Sequence, residues 1–261
     1  MNTALAILAH ALRMLIFDTK TTLRVVLPAL IVVMGCSLAI AVLAPEMIAY
    51  MQEAPETPVP FALQTVFSFL AFGLIGLMGY ALMAILWHRH VLLNGAENPE
   101  DLRPDGHIFL NYIWRAIVVG IAQMVAAVPI TVLIGVIGSA LLQNNPTDLL
   151  AMPLGLASNI IFVWIAMRLS VVLPSAAIGR SMSMRDSWQA TRPVSAPLWG
   201  VAVLLSGLNI CVYMISAIAL PEAGTISAMA VTFIYILQGL IFVSILTTLY
   251  GHLVEGRSLG Q

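Results

Sequence analysis

Six stretches of this chain, residues 23–44, 61–87, 112–142, 156–178, 197–220 and 226–250, are apolar almost without interruption. A helix of about 20 such residues crosses roughly 30 Å of hydrocarbon. No water is available there to satisfy a bare peptide group, so a spanning segment must close its hydrogen bonds within itself. The pattern therefore predicts an all-α, polytopic membrane protein with six transmembrane helices. The third stretch is overlong and contains Pro129, which predicts tilt or a kink. With 61% hydrophobic and 9% charged residues, nothing remains from which to build a sizeable soluble domain, where about 25% of residues are charged. Residues 1–261 are read as a single membrane domain.

Orientation follows from the basic residues, which concentrate on the cytoplasmic side of membrane proteins. With both termini inside, Arg13, Lys20, Arg24, Arg89, Arg103, Arg115, Arg180, Arg185, Arg192 and Arg257 all fall on cytoplasmic segments. The opposite loops hold Glu46, Glu53, Glu56, Asp148 and Glu222 and no basic residue. Trp87, Trp114, Trp188 and Trp199 gather on the same basic side, as aromatic anchors of an interface do. Residues 1–22 lack the basic start and small-residue cleavage site of a signal peptide and read as an interfacial helix on the inner surface. The chain then divides into three hairpins, each led by a cytoplasmic segment.

The remaining basic residue, Arg168, lies inside the fourth stretch. Counted back from Arg180 along an unbroken helix, it sits about 18 Å deep, near the bilayer midplane. An arginine there costs about 2.5–3.5 kcal/mol on insertion scales, so it is expected to face protein or water. Pro174 removes one helical hydrogen bond and frees the carbonyl of Ser170. Beyond Gly179, Ser183 and Asp186 have the spacing of a capping box, and Trp188 gives the short helix that follows an interfacial ring.

The same count places Gln123, Asn209 and Gln238 at the depth of Arg168, roughly 15–18 Å from the basic end of their spans. Two readings are open. Each amide can make its own helix-packing hydrogen bond, of a kind that contributes about 0.6 kcal/mol. Alternatively, Gln123, Asn209 and Gln238 form with Arg168 a shared polar core or small cavity centred on Arg168. No carboxylate lies at that depth, so Arg168 must use amide oxygens, backbone carbonyls, water or a bound anion.

Other features read as structure. His10, His88, His90, His107 and His252 all fall on the basic side without metal-ligand spacing, and are expected at the surface. Gly73, Gly76 and Gly79 form a stripe that lets helices approach closely. Cys36 and Cys211 read as small packing residues. Glu97, Glu100, Asp101 and Asp105 lie in a proline-broken, solvated loop. No phosphate loop, nucleophile elbow, metalloprotease or dinucleotide fingerprint occurs, so no cofactor is expected. A formal net charge of -1 gives no basic surface for nucleic acid.

An arginine-bearing span leading through Leu173 and Pro174 into Ser187, Trp188 and Thr191, behind an interfacial helix and among six spans, resembles a family. It is similar to the bacterial inner-membrane proteins related to the membrane domain of glycerophosphodiester phosphodiesterases, and to YciC-like proteins. The motif residues carrying this resemblance are Arg168, Leu173, Pro174, Ser187, Trp188 and Thr191. The hydrolytic chemistry of those enzymes belongs to a separate soluble barrel, for which these residues leave no room. The resemblance thus implies a stand-alone membrane module. The sequence points to a non-enzymatic scaffold or accessory protein of a bacterial inner membrane, whose partners are membrane lipids or another membrane protein. The alternative is a transporter or channel for a small anionic or amphipathic substrate, with Arg168 in its site. An embedded enzyme ranks third, because no carboxylate, histidine or cysteine accompanies Arg168 at depth.

Overall fold

The computed structural model describes residues 3–17, 19–53, 60–93, 102–142, 151–220 and 224–259. Its elements are α1 (Thr3–Phe17), α2 (Thr19–Leu43), α3 (Pro45–Glu53), α4 (Leu63–Leu92), α5 (Gly106–Leu142), α6 (Ala151–Ser170), α7 (Val172–Ala177), α8 (Met184–Ala190), α9 (Ser195–Ala219) and α10 (Thr225–Leu253). No strand occurs among the described residues. Six helices are long and apolar enough to cross a membrane, and the protein is an all-α polytopic membrane protein. Those six match the six apolar stretches to within a few residues at most ends. Backbone satisfaction forces the helix, and the hydrocarbon thickness sets its length. The acidic loop residues Glu97, Glu100 and Asp101 lie outside the described residues, as do Glu56, Asp148 and Glu222.

The longest interface joins α2 and α4. Its closeness comes from the glycine stripe. A methyl group on Gly79 would stand 3.1 Å from Val33 and 3.2 Å from Val32, and one on Gly76 would stand 3.5 Å from Cys36. Gly73 meets nothing, so only two members of the stripe serve packing. Packing of this kind drives helices together in lipid, where burial of apolar surface gives no advantage.

The amino-terminal helix is tied into the bundle. Ala4, Ile7 and Ala11, spaced on one helical face, are buried against α9 and α10. The hydroxyl of Ser244 donates to the carbonyl of Ala11 at 2.8 Å. The other face leaves Leu5, Ile16 and Phe17 exposed. This division makes α1 one-sided, as an interfacial helix would be, while fixing it to the protein.

Around the basic end, arginines close helix ends onto one another. Arg89 donates to the carbonyl of Ala177 at 2.9 Å. Arg257 donates to the carbonyls of Val91 at 3.1 Å and Leu92 at 2.7 Å, and Arg115 donates to that of Met182. Glu255 bridges Arg180 and Arg257 at 3.1 and 2.8 Å. The carbonyls of Val91, Leu92 and Ala177 are the last of their helices, lack intrahelical donors and carry partial negative charge, so a guanidinium is their natural partner; Met182 lies in the connection before α8. At the end of α7, Gly179 takes φ +75° while Arg180 N–H reaches the carbonyl of Ser175 and Gly179 N–H that of Ala176. This is a glycine-terminated helix stop, and it explains the abrupt change of character after Gly179.

Two expectations fail here for one reason. Trp87 is 1% exposed rather than interfacial, and His88 is fully buried rather than at the surface. The helix carrying them continues to Leu92, beyond the apolar run, because α2, α7 and α10 cover its last turns. His107 is exposed, and His10, His90 and His252 are partly buried.

Candidate functional site

Helix α6 has two faces of different chemistry. Trp164 and Arg168, four residues apart, share one face; Phe162, Ala166 and Ser170 share the other. Two residues along a helix turn the side chain by about 200°, so Arg168 points away from Ser170 despite their proximity in sequence. Depth in the membrane says nothing of this angle.

On the first face Arg168 is 5% exposed and held by the chain just beyond it. Its Nε donates to Thr191 Oγ1 at 3.2 Å and its Nη2 to the carbonyl of Trp188 at 2.7 Å. The guanidinium lies 3.6 Å from the centre of the Trp188 ring and 5.1 Å from that of Trp164. Trp164 in turn stacks on Trp199 at 4.7 Å and donates its indole N–H to the carbonyl of Ser195 at 3.2 Å. Where α6 breaks at Val171, Ser187 Oγ donates to the freed carbonyls of Arg168 at 2.7 Å and Leu169 at 3.2 Å. The freed carbonyls that find a side chain are thus one and two residues earlier than Ser170. The short helix α8 starts with the expected capping box: Ser183 Oγ accepts from Asp186 N–H, and Asp186 accepts from Ser183 N–H.

Arg168, Ser187, Trp188 and Thr191 therefore converge on one another, forming a latch that fastens α8 to α6. The other two motif residues lie elsewhere. Pro174 is buried in α7, and Leu173 reaches the cavity on the far side.

That cavity, about 720 Å³, lies between α4, α5, α6, α9 and α10. Gln123, Asn209 and Gln238 line it together, with Ser170, Tyr80, Tyr112 and Tyr235 and many apolar side chains. Its rim includes Leu77, Ile117 and Leu208, which are exposed on the outer, lipid-facing surface, so the cavity opens sideways. Gln123, Asn209 and Gln238 thus share a cavity, but it is not centred on Arg168 as the shared-core reading had it. Arg168 is absent from its walls because it lies on the wrong face of α6, and its oxygens come from Thr191 and Trp188 rather than from the amides. Gln123 donates to Ser170 Oγ at 3.2 Å. Asn209 is exposed and makes no hydrogen bond within the described residues, whereas Gln238 Nε2 is covered by protein, even toward the cavity, and has no partner.

Sequence reasoning missed Ser170 and the tyrosines. Ser170 was findable, standing one helical turn from Ala166 on the side away from Arg168. Tyr80 was not, since its place depends on Gly239, whose missing side chain admits the tyrosine ring. A third buried polar group lies outside both sites. His88 Nδ1 is 2.7 Å from Thr247 Oγ1, and that hydroxyl already donates to the carbonyl of Val243 at 2.8 Å. Nδ1 must therefore carry the proton, leaving Nε2 an unpaired acceptor. No group of three or more metal-ligating side chains occurs among the described residues.

Comparison with protein-family models, with curated proteins and with solved structures returns no match for this chain.

Proposed function

We propose that this protein is a non-enzymatic accessory protein of a bacterial inner membrane, with both termini cytoplasmic, that holds a membrane lipid in its lateral cavity. The observation carrying this reading is a cavity of about 720 Å³ that opens toward lipid and carries amides at its walls. Pockets of 300–1,000 Å³ with mostly apolar walls and a few placed polar groups suit small molecules and single lipids. Walls without carboxylate, histidine or cysteine among the described residues favour binding over chemistry. The latch supports the scaffold side of the reading. Arg168 has donors spent on Thr191 and Trp188, and it does not line the cavity, which speaks against an anion site on a transport path. Relation to the six-span family with the same motif rests on the convergence of Arg168, Ser187, Trp188 and Thr191.

Purification in mild detergent followed by native mass spectrometry tests the reading. One lipid should remain bound to the intact chain and be lost when Ala166→Trp fills the cavity. Equal lipid retention by that variant would contradict the proposal. Orientation is tested in a cysteine-free background by impermeant thiol labelling of intact cells. Glu46→Cys should label from outside and Asp186→Cys should not; the reverse pattern would invert the topology.

A further inference from the structure

The chain after α10 builds a second recess, apart from the lateral cavity. At Gly256, where φ is +72°, it turns back along the helix it has just left. Arg257 N–H donates to the carbonyl of Gly251 at 2.9 Å, and His252 donates from Nδ1 to the carbonyl of Arg257 at 2.8 Å. The Arg257 guanidinium, bonded to the end of α4 and paired with Glu255, pins this strap in place. Between the strap, α1, α4 and α10 lies a cavity of about 620 Å³. Its residues Gly256, Arg257 and Ser258 are exposed, so it opens at the basic end of the bundle, where a spanning helix meets headgroups and water.

Two imidazoles meet in its walls, His10 from α1 and His252 from α10. His10 Nδ1 is covered by protein and meets no acceptor, so the neutral ring keeps its proton on Nε2, which is neither covered nor engaged. His252 spends its Nδ1–H on the Arg257 carbonyl; its Nε2 is likewise open and becomes a donor when the ring takes a second proton. The hydroxyl of Ser258 adds a further donor, while those of Thr247 and Thr248 are spent on the carbonyls of Val243 and Ser244. No carboxylate lines the recess among the described residues; Glu255 bridges Arg180 and Arg257 outside it. The field there is positive. Burial first, then the charges of Arg13 and His252, hold His10 below the usual imidazole range.

We propose that this recess binds a phosphate group, with His10 Nε2 and His252 Nε2 donating to its oxygens and Arg13 adding its charge. A phosphate presents acceptor oxygens at tetrahedral angles and so meets donors arriving from α1, α10 and the strap, whereas a carboxylate presents two oxygens in one plane. Two sources share this chemistry: the headgroup of an anionic phospholipid, whose glycerol end would rest on Met14, Leu92 and Leu259, and a soluble phosphate. The site is separate from the lateral cavity and stands whether or not that cavity holds a lipid.

The test uses the full chain, stripped of lipid in a non-ionic detergent, with three probes: inorganic phosphate, a short-chain phosphatidylglycerol and the matching diacylglycerol. Affinity is read by calorimetry at about pH 6, where imidazoles carry protons, and the His10 titration by NMR of imidazole-labelled protein. At least one phosphate probe should bind and raise the His10 pKa, because the anion offsets the repulsion from Arg13 and His252; diacylglycerol should do neither. Binding of phosphatidylglycerol alone identifies the headgroup as the source, and equal binding of inorganic phosphate identifies a soluble one. His10→Gln and His252→Gln should each weaken that binding by about tenfold or more, the loss of one charge-assisted hydrogen bond. Should either variant fail to elute as a single folded species, Arg13→Gln, at an exposed position, should weaken the same probe by a smaller factor and raise the His10 pKa of the free protein. Binding that no variant alters, a His10 titration unmoved by saturating probe, diacylglycerol binding as tight as that of phosphatidylglycerol, or no binding of either phosphate probe would each overturn the assignment.

Discussion

The two sides of α6 look onto polar groups in opposite condition. On one, Arg168 is buried and met by a hydroxyl, a carbonyl and two indole rings. On the other, the cavity gathers amides, and one buried amide nitrogen, that of Gln238, meets nothing. A charge in an apolar setting survives only when its surroundings are built to satisfy it, so the arginine is fold. A buried donor left without an acceptor costs stability rather than adding it, so the amide does not serve the fold as the arginine does. The charged residue that most attracts a functional reading is the structural one here.

The largest effect should come from breaking the satisfied face. Arg168→Leu removes two charge-assisted hydrogen bonds and two cation–π contacts, and is expected to cost about 2–4 kcal/mol, read as a lowered unfolding midpoint in mild detergent. Arg168→Lys should recover only part, because an ammonium lacks the planar fork that reaches Thr191 and Trp188 together. Full stability in Arg168→Leu would show that the latch fastens nothing.

A smaller loss is expected for Thr191→Val, which keeps the shape but removes the acceptor for Arg168 Nε. About 1–2 kcal/mol is anticipated, and it should shrink in an Arg168→Leu background by the part the two residues share, leaving the part due to the bond from the Thr191 hydroxyl to the carbonyl of Ser187 at 2.9 Å. Additive losses would mean that they act separately.

How much of this was legible follows from what each signal encodes. The six spans could be read because hydrocarbon thickness and backbone satisfaction leave no other choice. Both the capping box at Ser183 and Asp186 and the depth of Gln123, Asn209 and Gln238 are local or one-dimensional, and both could be counted along the chain. The separation of Arg168 from the amides was legible in principle, because residues 168 and 170 fall on opposite helical faces, but depth alone merges them. Burial of Trp87 and His88 was not legible. It depends on which helices cover the end of α4, and the pattern within α4 carries no record of its neighbours.

Smaller still is the effect of Ser183→Ala, confined to the start of α8. Hydrogen bonds from the hydroxyl and the backbone N–H of Ser183 hold the Asp186 carboxyl below the usual carboxylate range. A depressed folded pKa contributes stability above the unfolded value of about 3.9 and loses it as pH falls through the folded value. The difference in unfolding midpoint between wild type and Ser183→Ala should therefore be largest near pH 7 and shrink as the pH is taken below about 4. A difference that grows on acidification would contradict the capping role.

The contrast between the two faces is tested most directly by the unfolding midpoint of lipid-stripped Gln238→Met. Replacing an unpartnered buried amide with an apolar side chain of similar size removes a cost and breaks no bond. The midpoint should hold or rise, in contrast to the fall expected for Arg168→Leu measured alongside it. A fall in Gln238→Met comparable to that of Arg168→Leu would mean that the amide is held by the fold as firmly as the arginine.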